Sequence, residues 1–287
     1  MPDPAPGAAR HLVRMLAAAA LVVAVAVGIG LAVYWVNDAG QTDHHGAGDT
    51  DSADRISVIA TVEKVDPAQY TATVRFWAVP RGRFSSDGGE TANRDVRVLS
   101  NGLDGGSLSI ESGRRIAAQT IPVELHRGEI TNYPFDRYSA DLFFSAVSDG
   151  ANLPIDVTVE NNDAFFNLSA TAESDEVEPG LQVQLRRSVG TYLMVALMFS
   201  VMWALALAVA AAAVVIGRNR LGLVWPAMAW MAATLFALAA FRGTAPGNPP
   251  IGSILDYTAF LWAEAIVACS LAYVVVRGVL LEWRRDD

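Results

Sequence analysis

The stretch from Arg186 to Ile216 reads RRSVGTYLMVALMFSVMWALALAVAAAAVVI, two cations followed by no further charge until Arg218. At about 1.5 Å per residue, a helix of this length more than covers the roughly 30 Å hydrocarbon layer of a bilayer. The stretch predicts a transmembrane helix over 188–216, longer than the layer needs, so that it tilts or projects outward. Upstream the chain alternates as strands do, and downstream two further apolar runs follow at 221–241 and 257–281. The chain therefore divides at its double arginine.

A fourth apolar run, Met15 to Val36, stands near the N-terminus, preceded by Arg10 and Arg14 and closed by Tyr34 and Trp35. Basic residues stay cytosolic and aromatic rings settle at the interface, so 1–14 is read as cytosolic and 15–36 as an uncleaved anchor. A cleaved signal peptide would show small residues where Tyr34, Trp35, Val36 and Asn37 stand. Four runs predict four transmembrane helices with both termini cytosolic. Arg218 and Arg220 in one turn, and Arg284 and Arg285 in the 282–287 tail, then lie inside the cell. The Gly- and Pro-rich loop from Arg242 to Ser253 then lies outside, and 37–54 reads as a linker without periodicity.

Between the linker and the double arginine the pattern has a period of two. Ile56, Val58, Ala60 and Val62 alternate with Ser57, Ile59, Thr61 and Glu63. After the turn Asp66-Pro67-Ala68-Gln69, the residues Val74, Phe76 and Ala78 share one face, which makes a hairpin. Short runs follow at 95–99, 107–111, 120–125, 138–146, 155–160, 165–172 and 181–185, separated by Gly, Asn, Asp and Pro. The expected fold is an α+β membrane protein: four transmembrane helices plus an extracytoplasmic antiparallel β-sandwich of immunoglobulin or jelly-roll type over 55–187.

The chain carries a net charge of −9 and is 52 % hydrophobic. Residues 37–187 hold 24 acidic and 13 basic side chains, a net of −11. Such a domain is soluble, and its sign argues against nucleic acid or an anionic lipid surface as a partner of the domain alone. The single cysteine, Cys269, lies in the last apolar run, so the domain relies on its core rather than on disulfides.

Three groups of residues stand out. Tyr133-Pro134-Phe135-Asp136 reads either as a rigid corner between strands or as a coupling loop that touches the membrane helices. Glu264 lies two turns into the last run, where an ionisable group faces protein or a water-filled cavity, or else reaches out to headgroups; Arg242 is its expected counter-charge. Gly28 and Gly30, with the alanine-rich faces, allow helices to approach closely. The sequence shows no phosphate loop, nucleophile elbow or metalloprotease motif. His44 and His45 beside Asp49 and Asp51 form at most a loose, flexible set. No catalytic residue, metal or cofactor is therefore expected, and the protein is read as not an enzyme.

The segment Asn132-Tyr133-Pro134-Phe135-Asp136-Arg137-Tyr138, followed by Asp141-Leu142-Phe143-Phe144, resembles the corner of pentameric ligand-gated channels that meets the pore domain. There, as at Arg186 and Arg187, the sandwich leads through an arginine into the first pore-domain helix. A conducting helix presents polar residues at helical spacing, whereas 221–241 offers Trp225, Pro226, Met228, Trp230, Met231 and Thr234. The whole layout more closely resembles the actinobacterial membrane proteins of the domain of unknown function 4436 family. Members of this type, similar to LucB, are associated with Mce lipid-import complexes as accessory subunits. The resemblance implies a non-catalytic subunit bound through its helices to the permease of a lipid importer in the plasma (inner) membrane. The sandwich would then stand in the periplasm or cell-envelope space. A homo-oligomeric channel or sensor is the alternative.

Overall fold

The computed structural model describes residues 24, 27–28, 30–36, 45–173 and 179–286. The first of these are helical, but most of 15–36, all of 1–14, residues 37–44 and much of the acidic loop near Glu176 lie outside the described residues.

Among the described residues eleven strands make two sheets. The first holds β1 (His45–Gly48), β9 (Ile155–Asn161), β2 (Ile56–Asp66), β3 (Thr71–Pro80) and β6 (Gln119–Glu124), in that order. The second runs β10 (Phe166–Glu173), β11 (Gly180–Arg187), β7 (Arg137–Ser148), β4 (Val96–Ser100) and β5 (Ser107–Ile110), with β8 (Ala151–Leu153) beside β7. The alternation works as the hydrophobic effect requires: Ile56, Val58, Ala60 and Val62 are buried, as are Val74, Phe76 and Ala78. Phe76 of one sheet and Phe144 of the other place their ring centroids 5.2 Å apart across a shared apolar core.

Two expectations for this domain are corrected. The sandwich is not wholly antiparallel, because β2 pairs parallel with β9, Ser57 lying opposite Asp156. The 37–54 linker is not uniform either: His45–Gly48 forms an edge strand against β9, its backbone rather than its side chains supplying the pairing.

Three helices follow the domain: α1 (Val189–Arg218), α2 (Trp225–Arg242) and α3 (Leu261–Asp286), the last preceded by a π-turn at Asp256–Phe260. On α1 the buried positions Val195, Met198, Met202, Ala206, Val209 and Ala213 recur every three or four residues, facing α3 and α2. At the far end an Arg277 Nη2–H donates to the carbonyl of Gly217 (3.3 Å), and a Cβ on Gly278 would meet Leu223.

The expected four transmembrane helices are not supported. Among the described residues two helices are long and apolar enough to cross a membrane, Val189–Arg218 and Asp256–Trp283. α2 has 18 residues, about 27 Å of rise, and opens on Trp225-Pro226 and closes on Arg242, which shortens its apolar length below the roughly 20 residues of a span. The 15–36 run lies largely outside the described residues.

Candidate functional site

The last strand hands the chain directly to the first helix. Arg187 ends β11, and Ser188 caps α1, its Oγ accepting from the Thr191 N–H (3.3 Å). The Ser188 hydroxyl donates to the Ala164 carbonyl (3.0 Å), and the Thr191 hydroxyl donates to that of Phe165 (3.1 Å). The turn between β9 and β10 is thus tied to the start of α1.

Tyr133-Pro134-Phe135-Asp136 sits between a single 3-10 turn, Ile130–Asn132, and β7, and its Tyr133–Pro134 peptide is cis. The four residues separate by destination. Tyr133 is fully buried, packed into the helical cluster rather than the core of the sandwich. Phe135 is 61 % exposed, its ring centroid 5.8 Å from that of Tyr192 on α1. Asp136 turns inward and takes three hydrogen bonds from Arg187: Nε to Oδ1 and Oδ2 at 3.0 and 3.1 Å, and Nη2 to Oδ2 at 2.8 Å. Both side chains are fully enclosed.

The Arg187 guanidinium is also held between two rings, 4.1 Å from the centroid of Phe166 and 4.9 Å from that of Tyr133. Its remaining Nη1 is buried without a hydrogen-bond partner, as is the Tyr133 hydroxyl. Burial pushes the Tyr133 phenol up to about 12, against the opposing pull of the Arg187 charge. Burial likewise raises the neighbouring Tyr138 phenol, helped by the Asp136 carboxylate. Gly247, in the loop between α2 and α3, closes over the guanidinium: a Cβ there would lie 2.5 Å from Nη1.

That loop is held by a second buried pair. Arg242 donates from Nε to Asp256 Oδ1 (2.7 Å) and from Nη2 to Oδ2 (2.8 Å), while its Nη1 and Nη2 reach the carbonyls of Pro249 and Pro250 at 2.8 and 2.9 Å. Asp256 Oδ2 also accepts from the backbone of Gly252 and Ser253 and from the Ser253 hydroxyl. Each nitrogen of the guanidinium and each oxygen of the carboxylate therefore has at least one partner. Arg242 is thereby committed to Asp256 and not to Glu264, a correction with a simple cause: the Pro249-Pro250 loop folds the start of the last helix back onto the end of α2. Glu264 is half-buried on α3 and forms no hydrogen bond or ion pair among the described residues. Gly28 and Gly30 are helical, and among the described residues nothing comes within 4 Å of where their Cβ atoms would stand.

Beside the joint, the β2–β3 turn (Asp66, Gln69), the β9–β10 turn (Asn162, Phe165) and the α2–α3 loop (Thr244, Asn248) border an open cleft of about 600 Å³. Among the described residues no group of three metal-ligating side chains is found. The arrangement is a joint: the Asp136–Arg187 pair, the ring contacts of its guanidinium and a helix cap lie where the β domain meets the apolar helices, and the Arg242–Asp256 pair holds the α2–α3 loop that closes over them. Its members are scattered over 133–136, 187, 242–256 and 247, and only the first cluster stands out in the sequence.

Residues 46–186 match the family described as Domain of unknown function (DUF4436), and residues 187–280 that described as Domain of unknown function (DUF8686). The boundary falls between Arg186 and Arg187, so the Asp136–Arg187 pair links one matched unit to the other. No curated protein matches the chain.

Proposed function

We propose that this protein, whose β domain matches the DUF4436 family, is a non-catalytic accessory or regulatory subunit of a larger membrane complex. It is held in the plasma (inner) membrane by α1 and α3, with its β domain in the periplasm or cell-envelope space. The observation that carries the reading is Glu264: a carboxyl on an apolar helix, flanked by the exposed Leu261, Ala265, Ala268 and Ala272, with no partner among the described residues. An ionisable group at such a depth is costly to leave in lipid and calls for a neighbour from another subunit. The small residues around it admit a helix at close range. The resemblance to LucB-type members of the family supports the permease of an Mce-type lipid importer as that neighbour.

Purification of the tagged protein in mild detergent under native expression, followed by mass spectrometry, tests the reading. Permease components are expected to co-purify, and to be depleted by Glu264→Leu; a solitary, monodisperse protein overturns it.

A second reading, a homo-oligomeric channel or sensor, is favoured by the corner, where Asp136 lies under the arginine that leads into α1 as in pentameric channels. Current through purified protein in a planar bilayer, with ring-shaped particles in projection, decides for it.

A further inference from the structure

The outer face of the second sheet gathers positive charge against the sign of its domain. Arg186 on β11 lies directly opposite Arg137 on β7 in the register, and Gln184 opposite Ser139. His126 bridges to Ser139 from the other side, which brings Arg127 to the same place. The three arginines, with Gln182 and Gln184, line a shallow groove of about 220 Å³. All three are exposed, and none forms an ion pair among the described residues; Arg186 Nη2 makes a long hydrogen bond, 3.5 Å, to Gln184 Oε1. Like charges directly across two strands repel, with Cβ atoms about 5 Å apart, so an arginine facing an arginine is unfavourable unless an anion lies between them. Seven of the domain's ten other cations have carboxylate partners among the described residues; Arg81, Arg94 and Arg97 have none, and no two of those three face each other across strands as Arg137 and Arg186 do.

Its height is set by the chain. Arg186 stands three residues before α1 begins at Val189, about 10 Å of extended backbone at most. Arg137 follows two residues after Phe135, whose exposed ring lies against Tyr192 on the first turn of α1. Aromatic rings of this kind mark the membrane interface, and the headgroup layer adds roughly 5–8 Å beyond the hydrocarbon. The groove therefore opens at the level of lipid phosphates. Arginine forks match phosphate oxygens in pairs, and glutamine amides can donate to further oxygens or to headgroup hydroxyls.

We propose that Arg127, Arg137 and Arg186 form a binding groove for the phosphate of an anionic lipid headgroup on the membrane-proximal face of the β domain. The inference rests on α1 entering the membrane and is independent of any partner subunit. Failure to recover a complex therefore leaves it standing.

The full chain, purified in mild detergent, is incubated with phosphatidylglycerol or phosphatidylcholine, and retained lipid is counted by native mass spectrometry. Inorganic phosphate is run as a competitor. The comparison set is Arg127→Gln/Arg137→Gln/Arg186→Gln, the single variant Arg186→Gln, and Arg114→Gln/Arg115→Gln as a control on other exposed arginines. Phosphatidylglycerol is expected to bind in preference to phosphatidylcholine. Affinity should fall about fivefold for the single variant and on the order of a hundredfold for the triple variant, the control binding as the parent does. Equal binding of both lipids, or undiminished binding by the triple variant, overturns the proposal. So does inorganic phosphate that occupies the groove as tightly as the lipid does, because the source is then soluble phosphate.

Discussion

Asp136 and Arg187, 51 positions apart in the chain, meet fork to fork at 2.8–3.1 Å with neither side chain reaching solvent. Each belongs to a different matched family unit, so the pair ties the last residue of β11, two positions before α1, to the segment that leads into β7. Removing one member leaves the other charge enclosed in a low-dielectric pocket, whereas removing both leaves only a repacking problem. Asp136→Asn should destabilise the protein by about 3–5 kcal/mol, and Asp136→Leu combined with Arg187→Met should recover most of that loss. Thermal unfolding in detergent, read as a double-mutant cycle, checks both; simple additivity would show that the two groups do not depend on each other.

At Arg242 the geometry, not the charge alone, is what the loop requires. The guanidinium reaches two carboxylate oxygens and two proline carbonyls at once, and a lysine ammonium cannot span that set. Arg242→Lys should cost about 1–3 kcal/mol and make the loop at Pro249-Pro250 accessible to protease, measured by limited proteolysis and mapping of the cut.

Tyr133 gives a pH signature. Its phenol is pushed up to about 12 from the usual 10, which means that the folded state favours the neutral form. This contribution is fully present below pH 10 and is lost as pH rises from 10 through 12. Absorbance titration should show two tyrosines, Tyr133 and Tyr138, missing from the ionisation near pH 10 seen in the unfolded chain, and Tyr133→Phe should remove its own part of the alkaline destabilisation. Because the hydroxyl has no partner, Tyr133→Phe should change stability at neutral pH by less than about 1 kcal/mol, while Tyr133→Ala should cost about 3–5 kcal/mol through the cavity it leaves.

Gly247 adopts φ +75°, and a Cβ there would press 2.5 Å from the immobilised Arg187 Nη1. Gly247→Ala therefore combines an unfavourable backbone region with overpacking against a group that cannot move. A loss on the order of 2 kcal/mol is expected in the same unfolding assay. Gly105→Ala, at a similar φ of +65° with nothing within 4 Å, should show the backbone effect alone.

Glu264 separates stability from assembly. Its carboxyl has no partner among the described residues, so Glu264→Leu should leave the unfolding midpoint of the isolated protein unchanged or raised. Recovery of the complex should fall. A large loss of stability in isolation would instead place an internal partner beside it.

The β domain was legible wherever burial has a period of two: Ile56 to Val62 and Val74 to Ala78 show their core face residue by residue. The β2–β9 pairing was not, since alternation says which face is buried and nothing about which strand is adjacent. His45–Gly48 carries no alternation because an edge strand of Gly and Ala is defined by its backbone. At the joint, Tyr133 to Asp136 was visible as a dense local cluster, but Arg187, Arg242, Gly247 and Asp256 become neighbours only through the folded loop. The same holds for the arginine groove: net charge sums over the domain and hides three cations at 127, 137 and 186.

β9 lies between β1 and β2, strands that neighbour each other in the chain. Ser57 donates its hydroxyl to Asp156, 99 positions later, so this sheet cannot close before Ile155–Asn161 has left the ribosome. Until then β2 offers an open flank on that side, a template for pairing with another strand.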